Sequence, residues 1–361
     1  MKNNFKLKKN IFYNKKVLIT GHTGFKGSWL SLWMHKLGAK VIGISKDIPT
    51  KPSHFLSIGL NKFIKNKIID IQNKKQLSNI IKKSKPDFIF HLAAQAIVKK
   101  SYEDPIDTWK TNLVGTINLL DSLRNINKKL IVVLITSDKV YKNLETTIGY
   151  KEDDLLGGVD PYGASKSATE IAINSYIKSY FNSNKNLVQI CVARAGNVIG
   201  GGDWSYNRLV PDCMRAWLNN KSVIIRNPNS TRPWQHVLEV LNGYIQLAIK
   251  LKKDNKLHGQ TFNFGPLNKN YKVSQILKEM KKKWPQINWN VRNKVKFFEN
   301  NLLNLNSNKS LKKLKWKCKL NFSETIFLTA DWYKNFQTYK KSKNKILKKS
   351  VDQISYYEKL I

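Results

Sequence analysis

A glycine-rich turn between a buried strand and a helix constrains this chain more than any other feature. Lys16–Thr20 (KVLIT) is a short β-branched run stopped by Gly21, and Phe25–Leu37 carries apolar residues at helical spacing up to Gly38. Between them, Gly21-His22-Thr23-Gly24-Phe25-Lys26-Gly27 sets three glycines in a GxxGxxG spacing. Glycines so spaced permit a tight turn, close backbone approach to a pyrophosphate and close packing of helix on strand. The helix start then offers its free N–H groups to phosphate oxygens. A turn that merely capped a helix would not need Gly27 inside it. Gly21, Thr23, Gly24, Phe25 and Gly27 are therefore the candidate dinucleotide cradle.

The alternation continues along the chain. Lys40–Ile44 (KVIGI), Phe88–Leu92 (FIFHL), Leu130–Thr136 (LIVVLIT), Leu187–Ala193 (LVQICVA) and Thr261–Phe264 (TFNF) read as strands. Helical patterns at Asn112–Leu123 and Tyr162–Phe181 lie between them, the second opened by Pro161 in its first turn. This order predicts an α/β fold, a Rossmann-type doubly wound parallel sheet with a smaller, mostly C-terminal α/β substrate-binding domain. Residues 1–195 are expected to form the cofactor domain, completed by the strand near 261–264. The pattern then becomes irregular apart from a helix near Leu209–Leu218, so residues 196–361 are expected to be mainly the substrate domain, interleaved with the first. Asn293–Lys319 is Lys/Asn-rich without a clear assignment, and the charge run Tyr339–Lys349 reads as an exposed helix end or a tail.

Composition narrows the function classes. Over 361 residues, 41% are hydrophobic, enough for a sizeable core, and 64 Lys+Arg against 24 Asp+Glu give a net charge of +40. The excess is lysine scattered from end to end. It reads as solvated surface, not as the arginine-bearing stripe of a nucleic-acid binder. Cys191, Cys213 and Cys318 are odd in number and far apart, and a reducing, cytoplasmic setting is expected. The histidines lack metal-ligand spacing, so no metal is expected. The run Leu130–Ile135 is far shorter than the ~20 residues of a membrane helix, and the basic start is not followed by an apolar signal core.

Tyr162-Gly163-Ala164-Ser165-Lys166 puts a phenol and an ammonium on one helical face. A neighbouring cation is expected to lower the phenol pKa, so that Tyr162 can act as general base toward a substrate hydroxyl. The strand ending in Thr136-Ser137 supplies a hydroxyl to the same place. The second strand ends in Ser45-Lys46, without the acid that would mark the ribose of NAD, and Lys46 leaves room for a 2′-phosphate. Asp70-Ile71 are expected beside the adenine.

GHTGFKG, HLAAQ (His91–Gln95), TNLVGT (Thr111–Thr116) and YGASK resemble the extended short-chain dehydrogenase/reductase family of nucleotide-sugar enzymes. Within it, TSDKVYKN (Thr136–Asn143), RAGNVIGGGDW (Arg194–Trp204), RLVPDCMRAW (Arg208–Trp217) and STRPWQHVLE (Ser230–Glu239) resemble the CDP-glucose 4,6-dehydratases, from about Lys15 to the final DQISYYEKL. Val240 departs from the family, which often has Pro there. The resemblance implies NAD as cofactor, CDP-glucose as substrate, a hydro-lyase reaction in deoxysugar and O-antigen precursor synthesis, and a homodimer or higher homo-oligomer. In that reaction hydride leaves C4 of the sugar, water is lost across C5 and C6, and hydride returns at C6. The resemblance assigns Tyr162 and Lys166 to C4 oxidation, Ser137 to the C4 oxygen and Asp138 to protonation at C6, and puts Lys139 where related dehydratases carry Glu. It places Ala93 and Ala94 against the cofactor, and Gln95, Asn112, Asn197, Arg208 and Arg232 on the substrate. Gln95 and Asn112 are also suited to satisfying loop backbone instead, and His91, on an apolar strand, reads as a core or cofactor-lining residue and not as an acid. A C4-epimerase would need Tyr162 and Lys166 but not Asp138.

Overall fold

The computed structural model describes residues 8–146, 148–183, 186–225, 227–266, 270–292 and 303–361. The main sheet is built from β1 (Lys16–Thr20), β2 (Lys40–Ser45), β3 (Lys65–Ile68), β4 (Phe88–His91), β5 (Leu130–Ile135), β6 (Val188–Ala195) and β7 (Thr261–Phe264). Its order is β7-β6-β5-β4-β1-β2-β3 and every pairing is parallel. This is the doubly wound α/β arrangement that the sequence predicts. Successive residues of β1 go to opposite faces: Val17 and Ile19 enter one apolar cluster and Leu18 the other. Both faces are therefore covered, which is why these strands are continuous apolar runs instead of alternating ones.

One face carries α1 (Phe25–Lys36), and the other α2 (Lys74–Ser84), α3 (Gly115–Leu123) and α4 (Pro161–Tyr180). Asp160 caps α4 by accepting from Gly163 N–H at 2.9 Å, ahead of Pro161 in the first turn. A π-helical turn, Lys110–Val114, runs into α3 and extends the helix expected from Asn112.

Beyond β6 follow α5 (Leu209–Leu218), α6 (Val237–Lys253), α7 (Val273–Lys283), α8 (Phe322–Tyr339) and α9 (Lys343–Leu360). Two-stranded pairs join Val198–Ile199 to Gln235–His236, Thr231–Arg232 to Tyr271–Lys272, and Val223–Ile225 to Trp289–Val291. Of the unassigned stretch Asn293–Lys319, residues 293–302 lie outside the described residues, and Asn308–Leu314 is a helix. Helix α6 packs back on β5 and β6.

The charge run Tyr339–Lys349 is not a tail. It spans the end of α8, the break at 340–342 and the largely exposed first turns of α9, so the helix-end reading holds, and α9 buries Ile346, Ile354 and Tyr357. Its Glu358 accepts from Trp33 Nε1 at 2.8 Å and from Lys36 Nζ at 2.5 Å, tying the last helix to α1. Glu239 of α6 makes a second tie. Its Oε1 accepts from the backbone N–H groups of Lys319 and Leu320 at 2.6 Å, and its Oε2 from the Tyr357 hydroxyl at 2.5 Å. Burial pushes this carboxyl up to about 7 despite those donors. Among the described residues no helix is long and apolar enough to cross a membrane.

Candidate active site

The site segments leave the carboxyl ends of adjacent strands, where a doubly wound sheet reverses direction and opens a crevice. After β1, Gly21 turns the chain with φ of 73°, and a Cβ there would stand 2.8 Å from Ala93 N. A Cβ on Gly27 would stand 2.1 Å from the Gly21 carbonyl oxygen, so α1 can lie this close to the turn only with glycine at 27. Gly24 is the N-cap, without a side-chain cap and without an acid in the first turn. The helix start thus keeps its positive end free, and the arrangement fits a dinucleotide pyrophosphate.

Thr23 N–H reaches Ser45 Oγ at 3.3 Å and its hydroxyl donates to Asp47 O at 2.6 Å, locking the turn to the end of β2. Lys46 pairs with Asp107 at 3.5 Å. Asp70 accepts from Gln72 N–H at 2.9 Å, and buried Ile71 packs on Gly115. His91 lies buried between the hydroxyls of Thr20 at 2.8 Å and Thr116 at 3.1 Å, a core position; Thr20 Oγ1 also accepts from Ala93 N–H at 3.0 Å, shaping the Ala93-Ala94 segment.

After β5, Ser137 Oγ donates to Asp138 Oδ1 at 3.0 Å and accepts from Lys139 N–H at 3.2 Å. The Tyr162 phenol lies close enough to the Ser137 hydroxyl to feel it electrostatically, so helix α4 and the strand end meet as the sequence predicts. Tyr162 is 8% exposed, Lys166 5% and Asp138 5%, while Lys139 is half-buried. The same YxxxK spacing recurs at Tyr339 and Lys343, but there the helix breaks between the two residues, so they share no helical face.

Burial decides the electrostatics. It raises the Tyr162 phenol, against the Ser137 hydroxyl and the charge of Arg208, so the expected lowering by a cation is not what this structure holds. Lys166 is itself lowered to about 7, by burial first and by Lys26 second, and a partly neutral amine pulls little on the phenol. Asp138 is raised by burial, opposed by Lys139, Ser137, Arg232 and Lys26. Gly196 passes directly over it: a Cβ there would stand 3.2 Å from Asp138 Oδ2. Asp138, Lys139, Tyr141, Asn143 and Asp160 line one cavity.

Arg208, whose charge reaches Tyr162, pairs with buried Asp203 at 3.2 Å and donates to Ala96 O at 3.2 Å. Arg232 donates to Thr231 O at 2.8 Å and, with Lys26, acts on Asp138. Asn197 follows Gly196 and accepts at its carbonyl from Gln235 N–H at 3.1 Å. Gln95 and Asn112 take the loop-holding option. Gln95 Nε2 donates to Ile97 O at 3.1 Å and its Oε1 accepts from Ile97 N–H at 2.6 Å, while Asn112 bonds both backbone groups of Gln95 and Ser165 Oγ. Lys26 and Asp203 were not singled out by the motifs. A cation inside a phosphate-binding turn is the signal that marks Lys26.

A family model described as GDP-mannose 4,6 dehydratase matches residues 18–329. The chain belongs to that family. The CDP-glucose 4,6-dehydratase of Salmonella typhimurium is 42% identical over 331 residues, covering 90% of this chain and 92% of the relative. Among solved structures, an epimerase of Methanothermobacter thermautotrophicus superposes with a TM-score of 0.81 at 21% identity, over 94% of this chain and 98% of that one. The dTDP-glucose 4,6-dehydratase of Bacillus anthracis, in complex with NAD, gives 0.72 at 21% identity over 89% and 96%. Both share the fold of this member of the GDP-mannose 4,6 dehydratase family.

Proposed function

We propose that the chain is an NAD-dependent hydro-lyase that converts CDP-glucose to CDP-4-dehydro-6-deoxy-D-glucose and water. The observation that carries this reading is the junction of Ser137 and Asp138 with Tyr162 in one crevice beside a dinucleotide cradle. An epimerase has no use for a buried carboxyl at that point. The 42% identity with a relative named for this substrate supports cytidine as the base.

Gly21, Thr23, Gly24, Phe25 and Gly27 would hold the pyrophosphate of NAD, Asp70 and Ile71 would lie at its adenine, and Ala93 and Ala94 along its length. When bound, NAD supplies a hydride acceptor and donor that ends the cycle unchanged. The chain's own residues move the protons. Tyr162 takes the proton of the C4 hydroxyl as the phenolate, the form that the positive charge of bound NAD⁺ would favour against burial, with Ser137 holding that oxygen and Lys166 on the same helical face. The C4 ketone acidifies the C5 hydrogen, Lys139 removes it, and Asp138 protonates the departing C6 hydroxyl. Burial suits Asp138 to this task, because a raised pKa keeps the acid form available near neutrality. Arg208 and Arg232, with Asn197, bind the nucleotide diphosphate, and Arg suits this by donating two parallel hydrogen bonds.

The reading divides the chain into a cofactor part, 1–195 with the strand at 261–264, and a mainly substrate-binding remainder. It also includes a cytoplasmic homodimer or higher homo-oligomer supplying deoxysugar precursors. Exposed Val114 and Ile171, on the helical segments leading into α3 and along α4, support pairing through those helices.

Incubation with CDP-, dTDP-, GDP- and UDP-glucose plus NAD⁺, followed by mass detection of water loss, tests the reading. CDP-glucose should lose water with only catalytic NAD⁺ and no accumulating NADH. Stoichiometric NADH would make the protein a simple dehydrogenase instead.

A further inference from the structure

The turn that forms the candidate cofactor cradle carries one side chain that neither the cradle nor the proton-transfer group uses. Lys26 follows Phe25 at the start of α1, and its backbone is held in place by the contact of Gly27 with the Gly21 carbonyl. The turn is clamped to the loop that follows β6: a Cβ on Gly200 would stand 3.2 Å from the Phe25 ring, and Trp29 Nε1 donates to Gly201 O at 2.8 Å. Lys26 therefore sits at a seam. Its ammonium lies within electrostatic reach of Arg208 and Asp203 on one side, and of Asp138 and Lys166 on the other. Among the described residues it makes no hydrogen bond or ion pair. The nearby carboxylates are already engaged, Asp203 by Arg208 at 3.2 Å and Asp138 by Ser137 at 3.0 Å. Lys26 is half-buried at this seam, and a cation beside Arg208 with no carboxylate of its own has its natural counterpart in an anion brought by a ligand.

We propose that Lys26 is a ligand of the substrate's diphosphate, completing with Arg208 an anion site at the seam between the cofactor turn and the Gly200–Arg208 loop. This rests on the nucleotide-sugar reading above. The groups around the Lys26 ammonium are those of the substrate wall, Arg208 and Asp203, and of the reacting centre, Asp138. The backbone of the turn and its side chain thus face two different anions. A lysine fits this place because it is a compact charge on a flexible stem, whereas Arg208 offers a planar fork. Burial lowers Lys26 only to about 8, so it is charged in most molecules at neutral pH, and a bound diphosphate favours that charge further.

The test compares wild type, Lys26→Met and Lys26→Arg, each saturated with NAD⁺, by calorimetric titration with CDP and with cytidine. Loss of a charge-assisted contact should weaken CDP by about 10- to 100-fold in Lys26→Met. Lys26→Arg should recover part of that loss, cytidine should bind all three alike, and NAD⁺ affinity should be little changed because the backbone cradle is intact. The KM for CDP-glucose should rise with the CDP dissociation constant while kcat changes little. Unchanged CDP affinity in Lys26→Met overturns the proposal. So does a fall in kcat alone, which would assign Lys26 to Asp138 and Lys166. A wild-type holoenzyme that turns over CDP-glucose, paired with an indifferent Lys26→Met, rejects this inference only; one that binds no CDP rejects the nucleotide-sugar reading with it.

Discussion

Asn112 grips both polar backbone groups of Gln95, accepting from its N–H at 2.8 Å and donating to its carbonyl at 3.1 Å. The same carboxamide donates to Ser165 Oγ at 2.9 Å, and Ser165 in turn donates to the Tyr162 carbonyl at 2.7 Å. One buried side chain thus fixes the loop after β4 against the first turn of α4. Asn112→Ala leaves these groups unpaired and should cost about 1–3 kcal/mol. Chemical denaturation measures the loss, and kcat should fall with it because Tyr162 is less firmly placed. A variant as stable and active as wild type would reject the link.

Tyr162→Phe removes the phenol oxygen and keeps the ring in its buried place. Folding and NAD⁺ binding should survive, while turnover falls about 10²–10⁴-fold, the usual scale for loss of a general base. Steady-state rates beside a thermal melt decide the matter, and wild-type activity would remove Tyr162 from the mechanism.

Lys139→Met keeps much of the stem but no amine. C4 oxidation should proceed and elimination should stop, so a single turnover with CDP-glucose should leave reduced cofactor on the enzyme without water loss. Exchange of the C5 hydrogen in deuterated water is the parallel readout. Exchange and water release at wild-type rates would hand the base role to Asp138 or to water.

Lys166 and Glu239 should make stability respond to pH in opposite senses. The folded pKa of Lys166, about 7, lies below its unfolded value of about 10.4, so its contribution to stability is full above that value and lost as pH falls through 7. Lys166→Met should therefore be more stable than wild type at pH 7, by up to about 4 kcal/mol, with the gap closing toward pH 10, while activity is lost. Urea titrations at several pH values would show it; a variant no more stable at pH 7 would contradict the assignment.

For Glu239 the folded value, about 7, is above the unfolded 4.5. Its contribution is full below pH 4.5 and disappears as pH rises through 7, worth about 3 kcal/mol at most. Glu239→Gln should flatten that fall between pH 5 and 8, as read from melting temperatures. A wild type and variant with parallel pH profiles would rule this out.

The features legible in the sequence are those whose physics is local. A buried parallel strand announces itself as a β-branched run, and β5 and β7 sit within a residue of where their patterns put them. The glycine turn must be glycine because its own backbone crowds it, as Gly21 and Gly27 demonstrate at 2.1 Å. Tyr162 and Lys166 share a face because they lie on one unbroken helix, and Asp160-Pro161 marks its start.

What the sequence by itself determined, then, is the order of strands and helices, the phosphate-binding turn and the Tyr162–Lys166 face, each a matter of neighbours along the chain. Tertiary structure alone decided which distant groups surround them. Whether Tyr162 sits low or high depends on how completely it is desolvated, and burial outweighs Ser137 and Arg208. Whether Asn112 faces ligand or loop depends on where Gln95 and Ser165 come to rest. The run at Tyr339–Lys349 reads as a helix end or a tail until Glu358 beyond it meets Trp33 at 2.8 Å, 325 positions away along the chain, and settles it as a helix end. Charge, spacing and propensity are summed over a few residues, whereas desolvation and pairing are properties of the space the folded chain encloses.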